Sequence, residues 1–146
     1  MQEKTPSGFH EMFRHLVTAD RRGPAAKTVE VFGWLILLEG AIMLLAPMQA
    51  AAILHLPALS EQAANYFRLV GLLAGGVGML YVVSGRLNAQ GFVFASLLDR
   101  PLVPFIMAVL WSSDLIAGPL ALAFSIHDFG SFLWTLFTWR SEMSRS

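Results

Sequence analysis

Four places in the chain put ionisable side chains into otherwise apolar surroundings: Glu39, Arg68, the Asp99-Arg100 pair and Asp128. A charge at bilayer depth costs about 2.5–3.5 kcal/mol on insertion scales. Each of these groups therefore needs a counter-charge, water, or a change of protonation. The chemistry open to them is anion binding by an arginine, proton relay or substrate binding by an acid, and hydrogen bonding between helices.

Ser125, Asp128, Ser131, Thr135 and Thr138 recur at spacings of three and four, which makes one continuous polar stripe on a helix. Lipid does not accept such a face, so the stripe is expected to point into a bundle. Arg68 shares a helical face with Gly71, Gly75 and Gly78, where absent side chains admit a neighbouring backbone. Its two readings are an anion anchor in a tight groove and an arginine that snorkels to the interface or pairs structurally. Across a bundle Arg68 is the expected counter-charge to Glu39 or Asp128, the other acid being protonated or water-linked. Asp128 reads equally as a relay or substrate-binding acid and as glue between helices.

His127 lies about 100° round the helix from Asp128, so the two do not share the stripe fully. No second histidine falls at similar depth on another apolar run, and no histidine-carboxylate cluster has ligand spacing. The expectation is therefore no haem, no metal and no other cofactor. Nucleophile elbows, phosphate-binding loops and zinc motifs are absent from the sequence, so no catalytic residue is assigned.

The elements that must hold these residues follow from composition. Of 146 residues, 55% are hydrophobic and 14% charged, more apolar surface than one soluble core of this size can bury. Formal net charge is zero and cysteine is absent, which sets aside a nucleic-acid partner and thiol chemistry. The polar start is unlike a leader peptide, and the first apolar run is expected to be retained as a helix.

That run is expected over Thr28 to Pro47, trailing to a corner at His55-Leu-Pro57. The second, over Ala63 to Ser84, carries Ser60 as N-cap and Gly85 as C-cap. Phe92 to Leu98 reads as an interfacial piece or the first turns of a longer helix. The third run then spans Arg100 to Ala117, with Ser112-Ser-Asp114 as an alternative turn, and the fourth runs from Gly118-Pro119 to Trp139-Arg140. Trp34, Trp111, Trp134 and Trp139 are expected near span ends. Before all of these, Phe9, Met12, Phe13, Leu16 and Val17 form one apolar stripe, so Ser7 to Arg22 is expected to lie at the membrane surface or to pack on the bundle ends.

The expected fold is thus all-α, a polytopic transmembrane four-helix bundle with an N-terminal amphipathic interfacial helix. It divides into an N-terminal segment 1–27, a membrane domain 28–140 and a tail 141–146. Lys4, Arg14, Arg21, Arg22 and Lys27 precede the first run, Arg86 and Arg100 lie between the second and third, and Arg140 and Arg145 follow the fourth. The opposite loops hold no lysine or arginine, so both termini are expected on the cytoplasmic side of an inner membrane.

The stretch Tyr66-Phe-Arg-Leu-Val-Gly71, then Gly75-Gly-Val-Gly78, Tyr81, Gly85-Arg86, Asp99-Arg100-Pro101, Asp128 and Trp134-Thr-Leu-Phe-Thr-Trp-Arg140 resembles small bacterial four-helix membrane proteins. It is similar to the BphX-like family and, more remotely, to the DoxX-like group. The resemblance covers roughly Ala64 to Arg140 and implies the bundle, with no catalytic residue carried over.

Three functions are compatible with these residues. The first is a non-enzymatic accessory or hydrophobic small-molecule-binding protein whose specificity comes from Glu39, Arg68 and Asp128, with Ser125, Ser131 and Thr135 beside them. The second is a small oligomeric proton-coupled transporter, and the third, least supported, is a membrane enzyme acting on a lipid or quinone. The partners expected are the lipid bilayer, a hydrophobic small molecule or another membrane protein, and a second copy of the chain.

Overall fold

A computed structural model describes residues 8–20 and 22–144, and every regular element in them is helical. The expected start at Ser7 and the charges Lys4, Arg21 and Arg145 lie outside the described residues. The helices are α1 (Phe9–Thr18), α2 (Pro24–Leu45), α3 (Pro47–Ile53), α4 (Glu61–Arg86), α5 (Gln90–Asp99), α6 (Leu102–Ser112) and α7 (Gly118–Met143). Four runs are long and apolar enough to cross a membrane: α2, α4, the joined α5–α6 run Gln90–Ser112, and α7. Their 22 to 26 residues extend about 33–39 Å at 1.5 Å per residue, against about 30 Å of hydrocarbon. Large apolar side chains such as Leu38, Leu73, Leu80 and Phe105 face outward, as they do where the solvent is lipid.

The ends of these helices follow local chemistry. Pro24 opens α2 at a position where a missing N–H costs nothing. Pro47 cannot continue that ladder and starts the short α3. The expected corner is present, with His55 in the left-handed region at φ 54°. The Ser60 hydroxyl accepts from the Ala63 N–H at 3.2 Å, with Glu61 in the first turn and Arg86 in the last.

Two expected boundaries are corrected. Gly85 does not cap α4, because the helix continues to Arg86 and the reversal is made by Asn88 at φ 53°, a residue type whose short polar side chain tolerates that conformation. The third run does not begin at Arg100. It begins at Gln90 and passes straight through Asp99-Arg100-Pro101, since Arg100 and Pro101 both keep right-handed helical dihedrals. Pro101 and Pro104 remove the N–H groups that would bond the carbonyls of Leu97 and Arg100. The Val103 N–H takes the Arg100 carbonyl instead, at 3.2 Å. The run is weakened there without being turned round. The true reversal is at 113–117, where Asp114 has φ 55° and the Leu115 N–H returns to the Leu110 carbonyl at 2.9 Å.

The largest interface is the antiparallel seam between α2 and α4. Ala26, Gly33 and Gly40 on α2 meet Gly85, Gly78 and Gly71 on α4, in that order, at heptad spacing on both helices. A Cβ on Gly33 would lie 2.8 Å from the Gly78 carbonyl oxygen, and one on Gly40 would lie 2.6 Å from that of Gly71. A Cβ on Gly85 would lie 2.7 Å from the Ala26 carbonyl oxygen. Only glycine allows this approach, the membrane form of small-residue packing, and the heptad keeps the seam in register along the helices. Gly71 and Gly78 thus pack as expected. Gly75 joins the seam through its backbone, since a Cβ on Gly40 would lie 2.5 Å from the Gly75 nitrogen, although a Cβ on Gly75 itself would meet open space. Its spacing from Gly71 and Gly78 falls outside the heptad.

The helices pack in the order α4, α2, α7, α6, and α5 lies against α2, α4 and α7. The start of α2 meets both the turn after α4 and the end of α7: the Gly23 N–H donates to Asn88 Oδ1 and the Ala25 N–H to Glu142 Oε1. We call this the proximal end and the other the distal end. The buried core of Ala25, Ala26, Val29, Phe32, Tyr81 and Val93 sits in the proximal half. Beyond Pro101, α6 packs on α7 and α5 alone and buries no residue of its own. Among the described residues nothing closes α6 onto α4, so the bundle is tight proximally and parted distally.

Candidate functional site

Two clusters of charge are built across the α2–α4 seam. The proximal one is centred on Glu30, whose side chain is 5% exposed. Its carboxylate accepts from Arg86 Nε at 2.9 Å and from Arg22 Nη1, and Trp34 Nε1 reaches it at 3.5 Å. Arg86 also donates from Nη1 to the Leu16 carbonyl at 3.1 Å, satisfying one of the orphan carbonyls at the end of α1. The cluster therefore ties α1, α2 and α4 together. Trp34 serves it from halfway along α2 and does not sit at a span end as expected.

Pinned at that end, α1 turns its apolar stripe outward, with Phe9 86% exposed and Phe13 and Val17 also uncovered. Its charged side carries the buried His15, whose Nδ1 lies 3.1 Å from Asp20 Oδ1. That hydrogen bond holds the Asp20 carboxyl below its ordinary value.

The second cluster is centred on Arg100, which is 0% exposed. Its Nη1 donates to Thr135 Oγ1 at 3.0 Å. Thr135 is in turn 2.8 Å from the Thr28 hydroxyl, with the carbonyls of Ser131 and Ala25 as further acceptors for the pair. The guanidinium carbon stands 4.1 Å over the centre of the Phe32 ring and 5.1 Å from that of Tyr81, a placement that stabilises a desolvated cation by about 2 kcal/mol. No carboxylate comes within ion-pair distance among the described residues. Nε and Nη2, which form one edge of the guanidinium, make no bond of ordinary hydrogen-bond geometry there, although the Tyr81 hydroxyl is near enough to interact with the guanidinium.

His127 stands against the same Phe32 ring, its centroid 4.8 Å away. Its Nδ1 faces Glu39 Oε1 at 3.5 Å, and its Nε2 is buried without a partner. Three of the four unpartnered buried polar atoms among the described residues thus belong to two side chains on one aromatic ring; the fourth is His15 Nε2. Asp128 is half-buried beside them and interacts electrostatically with both His127 and Arg100.

Arg68, expected as the central cation, is instead exposed near the distal end of α4 and donates to Asn65 Oδ1 at 2.9 Å. The seam carries Gly71 and Gly78 inward and leaves Arg68 on the rim, so the buried arginine is Arg100. Glu39 is 50% exposed and pairs with His127 in place of an arginine. The stripe on α7 divides. Ser125 and Ser131 bond back to the carbonyls of Ala121 and Asp128 on their own helix, a local satisfaction open to small hydroxyls. Only Thr135 reaches across to other helices. Among the described residues no three His, Asp or Glu side chains converge as a metal site.

Beside this cluster, α6 and α7 enclose an apolar groove of about 560 Å³. Pro101, Pro104, Phe105, Ser125, Ile126 and Gly130 are on its wall, so it starts one residue from Arg100. Neither the sequence nor the fold matches a protein-family profile, a curated protein or a solved structure at a significant level.

Proposed function

We propose that this membrane protein binds a hydrophobic small molecule within the bilayer, with Arg100 as the group that recognises it. One observation carries the reading: a fully enclosed arginine presents an unpartnered edge next to a second unpartnered donor or acceptor on His127. A purely structural buried arginine is expected to have its hydrogen bonds filled. The adjacent groove has a volume within the roughly 300–1,000 Å³ of small-molecule sites. The resemblance to BphX-like proteins is compatible with an accessory role of this kind and assigns no chemistry.

The charge pattern supports an inner-membrane location with both termini in the cytoplasm. Arg14, Arg22, Lys27, Arg86 and Arg140 collect at the proximal end, whereas the distal segments 46–60 and 113–117 contain no lysine or arginine. Removing Arg100 from the loop count leaves that asymmetry intact.

The test is native mass spectrometry of the full chain ejected from lipid nanodiscs. The wild-type protein is expected to carry a bound molecule that Arg100→Gln does not. Equal spectra for the two proteins would remove Arg100 from the recognition role. The pairing of Glu39 with His127 supports a second reading, a proton-coupled transporter. On that reading, reconstituted vesicles show a solute flux that Glu39→Gln abolishes.

A further inference from the structure

Resting on the binding reading above, we propose that the molecule is an amphiphile with an oxyanion head, a carboxylate or phosphate on an acyl chain, its head on Arg100 and its tail in the α6–α7 groove. The head-group assignment comes from which guanidinium edge is free. Thr135 takes Nη1, at one tip of the fork, and leaves Nε–H and the neighbouring Nη2–H side by side. Two parallel N–H groups are the complement of two oxygens of one oxyanion. A single carbonyl oxygen would fill half of that edge. His127 Nε2, the ring nitrogen turned away from Glu39, is available as a third donor when the ring is protonated.

The tail assignment comes from continuity. Arg100 is not on the groove's wall, but its chain neighbour Pro101 is, together with Phe105, Ile126 and Gly130. Access comes from the part of the chain least able to hold itself closed. Pro101 and Pro104 delete two ladder bonds, and α6 beyond them is packed on α7 and α5 alone. Because Arg100 is fully enclosed and does not line the groove, the proposal requires α6 to move about Arg100-Pro101 for the head to reach the guanidinium. The competing partners are internal: the Tyr81 hydroxyl and the Asp128 and Asp99 carboxylates already act on Arg100, and a change of the Asp128 side-chain rotamer is the rival source of an oxyanion.

The experiment uses the full chain in phosphatidylcholine nanodiscs, titrated with oleate, dioleoyl phosphatidic acid or methyl oleate and read by native mass spectrometry. At least one of the two anionic probes is expected to bind one per chain and at least tenfold more tightly than methyl oleate, and which one identifies the head. Arg100→Lys, which keeps the charge and loses the fork, is expected to lower that affinity at least tenfold. Gly130→Leu places its side chain in open space, so it folds, and by filling the groove it is expected to weaken binding by a similar factor. Methyl oleate binding as well as oleate, with both lost in Arg100→Lys, would overturn the oxyanion head while leaving the binding reading standing. Wild type that binds no probe, with Asp128→Asn binding oleate, would identify Asp128 as the resident anion and overturn the proposal. Anionic probes unaffected by Arg100→Lys and Gly130→Leu would overturn both parts of it.

Discussion

The Glu30 and Arg100 clusters both rest against α2 and α4, yet they differ in the one property that separates scaffold from site. Glu30 is a buried acid with two guanidinium groups and an indole turned towards it. Arg100 is a buried base with one hydroxyl bonded at 3.0 Å, two aromatic faces and an edge without a hydrogen bond of ordinary geometry. Burial alone therefore does not mark function; incomplete satisfaction does. Filled hydrogen bonds fix three helices at the proximal end, whereas the open edge lies where the third span is interrupted and α6 has left the bundle.

The seam holds both clusters, so the largest effect is expected from Gly78→Leu. Its side chain would start 2.6 Å from the Leu37 nitrogen and must push α2 and α4 apart. We expect a loss of about 3 kcal/mol in detergent-titrated unfolding, with both clusters dispersed. A loss below about 1 kcal/mol would show that the seam does not set their spacing.

Next comes Glu30→Gln, which strands two guanidinium groups. Breaking a fully buried pair costs about 3–5 kcal/mol. Arg22 and Arg86 keep 32% and 30% exposure, so water offsets part of this and about 2 kcal/mol is expected. Thr135→Val is expected to cost about 1–2 kcal/mol, because it removes the hydroxyl that accepts from the Nη1 of a buried cation. In an Arg100→Met background that cost should fall below about 0.5 kcal/mol; persistence of the full cost would mean Thr135 acts through Thr28 alone.

Arg100→Met itself should move stability by less than about 1 kcal/mol in either direction, since no ion pair is broken and a desolvated charge is removed. Binding is nevertheless lost. This opposition, large cost without a site at Glu30 and small cost with loss of the site at Arg100, is the sharpest form of the comparison. A loss of several kcal/mol in Arg100→Met would make the two clusters alike and the second one structural.

The smallest effect concerns Asp20. Its carboxyl titrates lower in the folded chain than when unfolded because His15 bonds to it. The contact therefore contributes at pH values above the unfolded carboxyl's titration and fades as pH falls through the folded value. Amide exchange in α1 should accelerate on acidification in wild type, and Asp20→Asn should remove that dependence on the acid limb. Identical profiles would exclude Asp20 as a tie on α1.

The apolar runs, the Ser60 cap, Gly71 and Gly78 were legible from period and composition. Arg100 was legible as one of four ionisable places in apolar surroundings, but its role as the central buried cation was not. Arg100 sits in Asp-Arg-Pro, a string with the chemistry of a helix end, and two prolines hid a run that continues with helical dihedrals through the break. Arg68 drew attention because it shares a glycine face, but the register that matters is the heptad 71, 78, 85, and position 68 lies outside it. Glu30 was hidden by its place at the edge of the first run, where an acid reads as solvated. The division of the α7 stripe depends on partners that other helices bring, and no spacing within α7 records it.

The seam also has a consequence for how the chain is made. Its two halves are consecutive spans joined by α3 and a short loop, and they meet backbone to backbone. The hairpin can close once Arg86 has left the ribosome and been inserted, before the third span follows. Phe32 and Tyr81 are then already side by side, and the interrupted helix delivers its arginine to a waiting aromatic wall instead of to bare lipid. On that order of closure, a buried arginine would meet its aromatic partners at the moment it arrives.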